Sequence, residues 1–323
     1  MILKEGVEMA NLLSIPRGFY IGGMEIRFYG ILMALAMAGG VILACYNAKA
    51  RGMKSDHILI LACYVLPLAV IGARMFSFFS ERNLYDSFWQ IFNLRTGGMS
   101  IFGGIIGGAL AILLFCLIHK KNFFAVADVV VPSLILGQAI GRWGNFFNQE
   151  VYGFEVTNPS LQWFPFSVYI EETGTWHLAT FFYEFVFNML LFLILMLMLR
   201  KFKVKRNGVL MATYLVWYGV VRACLEPLRI QKYILYMGKI RVSLFVSIIC
   251  AVLGVAYFVY LLVDYLLKKK NQTLAGATGG VNVEVKTTSE AIEVKQENSK
   301  ALEQTSLKEE FKTPEDNKTD KKE

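Results

Sequence analysis

The sequence predicts an all-α, polytopic membrane protein of seven transmembrane helices, with the N-terminus outside, the C-terminus cytoplasmic and a disordered charged tail. Three observations lead there. Of 323 residues, 55% are hydrophobic and only 18% charged, which leaves too little polar surface for an ordinary soluble domain. Seven stretches stay apolar over the length that crosses about 30 Å of hydrocarbon. Basic residues collect in alternate connecting loops. A soluble single-domain enzyme is thereby excluded.

Taken in order, the expected spans are Phe28 to Tyr46, Ile58 to Phe79, Gly97 to Ile118, Phe123 to Ile140, Leu178 to Leu199, Val209 to Leu225 and Val242 to Val263. The first, third and seventh contain no charged residue, whereas Arg74, Asp128, Glu184 and Arg222 interrupt the other four. A charge at that depth is costly, so each of these marks a partner or a function. Before the first span, Lys4 is followed by Glu5 and Glu8 with no sustained apolar run, so no cleavable signal peptide is expected. Cys45, Cys63, Cys116, Cys224 and Cys250 show no C-x-x-C spacing, and the chain has three histidines. Neither structural zinc nor a disulfide framework is expected.

Orientation follows from short-loop Lys and Arg, which favour the cytoplasmic side. Lys49, Arg51 and Lys54, then Lys120 and Lys121, then Arg200 to Arg206, then Lys268 to Lys270 all fall on one side. The loops Ser80 to Thr96 and Gly141 to His177 fall on the other. One loop breaks the pattern: Arg222, Arg229, Lys232, Lys239 and Arg241 crowd an outer segment against Glu226 alone. An anionic ligand explains those bases; a miscounted helix is the bland alternative.

Residues 1–270 form the expected catalytic membrane domain, with a formal charge of +11, and 271–323 the tail, at −3. The tail has one aromatic residue, Phe311, and cannot bury enough apolar surface to offset chain ordering. No internal repeat is visible, which argues against an inverted-repeat transporter.

Polar groups gather at the outer ends of the spans. Gly141-Arg142-Trp143-Gly144-Asn145-Phe146-Phe147-Asn148-Gln149-Glu150 follows the fourth expected span and mixes an arginine, carboxamides and a carboxylate with aromatics. Arginine offers phosphate a planar, permanently charged fork, and aromatics suit headgroup depth. An interfacial ion pair with an aromatic belt is the simpler reading. Tyr218, Arg222, Glu226 and Arg229 would share a helix face, although Pro227 should kink or end the helix near Glu226. The glycines from Gly97 to Gly108 suit close helix packing, expected at Gly107 and Gly108; Gly97 and Gly98 offer backbone amides to a phosphate. Tyr29, Arg74, Gly97 to Gly104, Arg142, Asn145 and Arg222 all lie toward the outer leaflet. Asp128, at the inner end, reads as a capping or pairing residue. Glu184 lies roughly 10 Å below the outer end of its span at 1.5 Å per residue, and needs a partner, with Arg74 or Arg142 at matching depth. His177 reads as an exposed loop residue.

These runs resemble the prolipoprotein diacylglyceryl transferase family over about Ile21 to Val263. The signature Gly141 to Glu150 carries the likeness, with Gly97-Gly98-Met99-Ser100 and Gly103-Gly104, Arg27-Phe28-Tyr29-Gly30, and Tyr218 to Arg229. The resemblance implies a multi-pass enzyme of the bacterial cytoplasmic (inner) membrane with its site toward the outer leaflet. It would transfer diacylglyceryl from phosphatidylglycerol to the lipobox cysteine of a prolipoprotein signal peptide, forming a thioether and releasing glycerol 1-phosphate, with no metal or organic cofactor. Partners would be those two substrates and membrane lipids, not nucleic acid. Arg142 and Arg222 are the expected catalytic residues. Tyr29, Gly98, Asn145, Asn148, Tyr218, Glu226 and Arg229 are the expected substrate contacts, and Asp128, Glu150, Arg74 and Glu184 the expected supports.

Three positions depart from the family pattern. Phe102 stands where many members have His or Tyr, so the thiol's general base is unassigned. Leu178-Ala179-Thr180-Phe181-Phe182-Tyr183-Glu184 replaces H-P-T-x-L-Y-E, and Gln231 stands where an acidic residue is usual. The rival from another class is a transporter or receptor for an anionic solute, whose polar groups should continue through the membrane.

Overall fold

The computed structural model of the chain describes residues 16–80, 82, 85, 87–93, 98–234, 236–237 and 240–271. The expected absence of a signal peptide, the positions Gly97 and Lys239, and nearly all of the expected disordered tail lie outside the described residues. The chain divides into two units, Met1–Phe258 and Val259–Glu323. In the second, Lys268 pairs with Asp264 at 3.1 Å, one helical turn apart.

Among the described residues of the first unit, the earliest element is a hairpin, β1 (Gly18–Ile21) and β2 (Met24–Arg27), paired from Gly18↔Arg27 to Ile21↔Met24. Gly22 and Gly23 join them with φ of 54° and 81°, the left-handed pair that a two-residue hairpin turn requires. The membrane helices are α1 (Phe28–Ala50), α2 (Ser55–Ser80), α3 (Ile101–Ile118), α4 (Phe123–Asn148), α5 (Thr180–Met196), α6 (Val209–Leu225) and α7 (Val242–Asn271). All seven, α5 with the π-helical turn Leu197–Lys201, are long and apolar enough to cross a membrane. Between α4 and α5 a second hairpin forms from β3 (Ser167–Ile170) and β4 (Thr175–Leu178). A third, β5 (Tyr236–Met237) with β6 (Ile240–Arg241), precedes α7. These three hairpins qualify the all-α expectation.

Lipid tails are as apolar as leucine, so these helices associate through close packing rather than through the hydrophobic effect. Accordingly Leu35, Ile42 and Leu110 stay 58–69% exposed on the outside of the bundle. Small residues let backbones touch inside it. A Cβ on Gly103 would strike the carbonyl of Gly72, and one on Gly107 the carbonyl of Leu68. Close packing thus holds at Gly107 as expected but not at Gly108, which has nothing nearer than 4.0 Å, and Gly103, one turn before Gly107, is the second tight position.

Helix α4 is the hub. Half of its spanning window is buried, against 11% for α1. Phe28 of α1 meets Phe147 of α4 with ring centroids 5.1 Å apart, while at the far end Ala44 and Ala48 pack with Val126 and Val129. The two helices are therefore antiparallel. Farther along, Val131 and Ile135 of α4 pack with Leu191 and Leu195 of α5 and Leu210 and Tyr214 of α6.

Candidate active site

Helix α4 runs two turns beyond the expected end at Ile140, so the signature begins inside the helix rather than after it. No breaker intervenes before Gln149, which leaves the helix in a left-handed conformation (φ 50°, ψ 48°). Helical periodicity then puts Arg142 and Asn145 on one face. Gly144 is required where it stands, since a Cβ there would come within 2.5 Å of the Tyr29 ring. Tyr29 is thereby seated against the signature helix.

Arg142 Nη2 lies 2.6 Å from Glu184 Oε2 of α5. The other oxygen, Glu184 Oε1, accepts from Arg222 Nη1 at 3.0 Å and from Arg229 Nη2. Three guanidinium groups from two helices and a loop thus converge on one carboxylate. Arg222 also donates through Nε to Ser243 Oγ at 3.1 Å and faces Glu226 Oε2 at 2.8 Å, although neither oxygen of Glu226 has a hydrogen bond of good geometry. As the Pro227 argument requires, α6 ends at Leu225 and the turn Glu226–Leu228 is 3₁₀. That break turns Arg229 inward, where its side chain is 6% exposed. Arg142 is the most open of the three at 21%, against 11% for Arg222.

A relay of amides extends the cluster. Arg142 Nη1 donates to Asn145 Oδ1 at 3.3 Å, and Glu150 Oε1 accepts from Asn145 at 3.0 Å and from Asn148 at 3.4 Å. The polar network of the site is therefore Arg142, Asn145, Glu150 and Asn148 along one chain segment, with Glu184, Arg222, Glu226 and Arg229 joined to it through Arg142 and Glu184. Three permanent cations thus share Glu184, with Glu226 and Glu150 at the two sides, and an arginine fork suits a phosphate.

The family model for prolipoprotein diacylglyceryl transferase matches residues 16–260. This chain belongs to that family. It is 39% identical over 250 residues to a phosphatidylglycerol--prolipoprotein diacylglyceryl transferase of Clostridium botulinum, covering 76% of this chain and 96% of the relative. A relative of the same name, numbered 1, from Clostridium perfringens is 37% identical over 259 residues, covering 79% and 97%. One from Clostridium kluyveri is 39% identical over 251 residues, covering 76% and 96%. All of the cluster lies inside the matched region.

Not every expected site residue joins the cluster of this family member. Arg74 lies instead under the segment before α3, donating to the carbonyls of Gln90 (2.7 Å), Ile91 (2.9 Å), Asn93 (2.6 Å) and Gly98 (3.0 Å). Glu184 is accordingly paired with Arg142 and not with Arg74. Gly98 has φ 71°, and its carbonyl accepts from Arg74 and from Tyr85 at 2.9 Å. Tyr218 stacks on Tyr214 at 5.7 Å, one turn before Arg222. Asp128 sits at the opposite end of α4, 2.7 Å from Arg51 Nη2, and accepts from the backbone amides of Gly208 (2.8 Å) and Met211 (2.9 Å) at the start of α6. It caps that helix where a negative charge is favoured.

His177 is not an exposed loop residue: β4 buries it to 6% exposure. Its Nδ1 lies 2.9 Å from the Gly153 carbonyl and its Nε2 3.0 Å from Thr175 Oγ1. A carbonyl only accepts, so Nδ1 carries the proton and the ring is committed to the hairpin. Three contributors escaped the sequence reading. Gly153 forms a bridge with Arg229, and a Cβ on it would meet the Leu228 carbonyl at 2.7 Å. Ser243 orients Arg222, and Thr180 bonds the carbonyl of Val151 at 2.7 Å. A glycine three residues after Glu150 and a threonine four before Glu184 were the available signals.

At the rim, Lys232 pairs with Glu172 at 2.7 Å. The ammonium beside Glu172 holds its carboxyl below the usual carboxylate range, and the carboxylate raises Lys232 in return. Of the bases of the anomalous outer loop, Arg222 and Arg229 thus join the cluster, Lys232 joins this pair, and Arg241 lies over the Tyr236 ring at 6.0 Å.

Proposed function

We propose that the chain transfers the diacylglyceryl group of phosphatidylglycerol to the lipobox cysteine thiol of a prolipoprotein. The convergence of Arg142, Arg222 and Arg229 on Glu184 carries the reading. The cysteine sulfur bonds to the glyceryl carbon as that carbon's bond to the phosphate oxygen breaks, leaving a thioether and glycerol 1-phosphate. Negative charge grows on the departing phosphate, so fixed guanidinium groups stabilise the transition state more than the ground state. Arg142, the most open of the three, meets the phosphate, and Arg222 stabilises the departing charge with Arg229 behind it.

Tyr29, Asn145 and Asn148 hold the glycerol oxygens, and Glu150 orients both amides. Glu226 and Tyr218 line the Arg222 side, Gly98 shapes the loop beside α3, and Arg74, Glu184 and Asp128 hold geometry. Phe102 packs 6.2 Å from Phe76 and offers no proton acceptor. The thiol, with an ordinary pKa of about 8.5, ionises in the field of the arginines and gives its proton to water, and the released phosphate monoester takes up a proton in turn.

The site faces the outer leaflet of the bacterial inner membrane, and both lipid-borne substrates enter laterally between helices. Support comes from the basic loops: Arg51 reaches the Lys205 carbonyl at 3.1 Å and Asp128 at 2.7 Å, so two of them meet at the end away from the cluster. That end holds a closed ion pair rather than the continuation of a polar path that a solute transporter needs. The test is to incubate purified membranes with phosphatidylglycerol and a lipobox peptide. Mass spectrometry should show one diacylglyceryl added at cysteine; an unmodified peptide overturns the reading.

A further inference from the structure

The segment that carries Glu150 is bent in a way its residues do not favour. Gln149 has φ 50° and Val151 has φ 59°, so Glu150 lies between two non-glycine residues in the left-handed region. For the β-branched Val151 this is a true outlier, and such a conformation persists only where the surroundings over-determine it. Two clamps flank it. Gln149, 5% exposed, donates through Nε2 to Glu171 Oε1 at 3.1 Å and accepts at Oε1 from the Glu171 amide at 2.9 Å. Thr180, fully buried at the first position of α5, donates its hydroxyl to the Val151 carbonyl at 2.7 Å.

We infer that Thr180 is a positioning residue for the transfer reaction: its hydroxyl holds Val151 left-handed and so aims Glu150 at Asn145 and Asn148. The geometry carries this in both directions. Glu150 Oε1 is the shared acceptor of the two amides, and Asn145 in turn accepts from Arg142. One helical turn after Thr180 on the same face stands Glu184, the carboxylate on which the three arginines meet. The hydroxyl therefore ties the end of the signature segment to α5, next to the packing of Trp143 and Phe146 on Phe181.

The inference rests on the proposed transferase reading for its catalytic consequence, but the clamp is measurable without it. Thr180→Val removes the hydroxyl at nearly constant shape, and Thr180→Ser keeps it. Hydrogen exchange of the full-length protein in lipid should show faster exchange at the Glu150 and Gly153 amides in Thr180→Val than in wild type or Thr180→Ser, with the remaining helices unchanged. Equal exchange in all three overturns the clamp, whatever the activity. In the transfer assay Thr180→Val should lose about tenfold to a hundredfold in kcat, as small misplacements of reacting groups do, with KM for phosphatidylglycerol within about threefold. Thr180→Ser should keep the wild-type rate within about threefold. Adding Val151→Gly should recover most of the loss in Thr180→Val, because glycine takes the left-handed conformation without a clamp. An unchanged kcat in Thr180→Val, or no recovery with glycine, overturns the positioning role. A wild type that transfers nothing defeats the transferase reading instead and leaves the exchange result to decide the clamp.

Discussion

The two ends of the bundle each bury a carboxylate among arginines, and they solve the problem differently. Asp128 meets one arginine, Arg51, and two backbone amides at the start of α6. Glu184 meets three arginines, one of which also faces Glu226. The first arrangement is matched charge for charge and closes a helix end. The second crowds three guanidinium groups onto one carboxylate, with Glu226 and, through Asn145, Glu150 beside them, so that Arg142 at the open side has donors to offer a further anion. The contrast lies in how many guanidinium groups share one carboxylate, not in burial.

The largest effect should come from the end with three arginines. Arg142→Ala is expected to lower the transfer rate at least about a thousandfold at matched protein level, and Arg142→Lys should not restore it, since a point charge lacks the two-pronged fork. Recovery with lysine would reduce the site to simple charge. Next, Asp128→Asn and Glu184→Gln each break a buried pair, a change that typically costs about 3–5 kcal/mol. Thermal unfolding in detergent should show both, but only Glu184→Gln should also lower kcat per folded molecule more than about tenfold. Equal catalytic losses would erase the distinction between the two ends.

Much of this was readable beforehand because each signal is local. Apolar runs and loop charges marked all seven helices, and Pro227 marked the end of α6 at Leu225. Of the four motifs, the signature and the run from Tyr218 to Arg229 supply the cluster, and Tyr29 packs against Gly144 of the signature. What escaped depends on residues far apart in sequence. Glu184 was recognised as needing a partner, but its convergence with Arg222 and Arg229 spans 38 and 45 residues. The last two turns of α4 were missed because the spans were read from hydropathy, and polar signature residues lower hydropathy without breaking a helix. His177 differs from the loop expectation because its neighbours Gly174 and Thr175 look like a loop, whereas pairing of His177 with Val168 of β3 buries it in a hairpin.

A gain of function sharpens the account further. Phe102→His should raise the rate about tenfold or more near neutrality, where little thiol is ionised, with the advantage shrinking as pH approaches about 8.5. A pH–rate profile checks it, and a gain independent of pH would assign the residue a packing role. The smallest effect is expected at the rim. Lys232→Gln should alter transfer by less than about twofold, because exposed pairs are weak and screened. The sign of its pH dependence is set by both partners. Glu172, depressed by Lys232, contributes above the usual carboxylate pKa and is lost as pH falls through its lowered value. Lys232, raised by Glu172, contributes below the usual lysine pKa and is lost as pH rises through its raised value. Any contribution of the pair should therefore be flat across neutrality and vanish at both extremes.

The central claim is that Arg142 and Arg222 stabilise a phosphate leaving group. Phosphatidylglycerol labelled in its unacylated glycerol, supplied with a lipobox peptide to membranes containing the wild type, Arg142→Ala or Arg222→Ala, tests it most directly. The account predicts labelled glycerol 1-phosphate and lipidated peptide in equal amounts from the wild type and neither product from the variants. Undiminished lipidation by both variants, or lipidation without glycerol 1-phosphate, would contradict it.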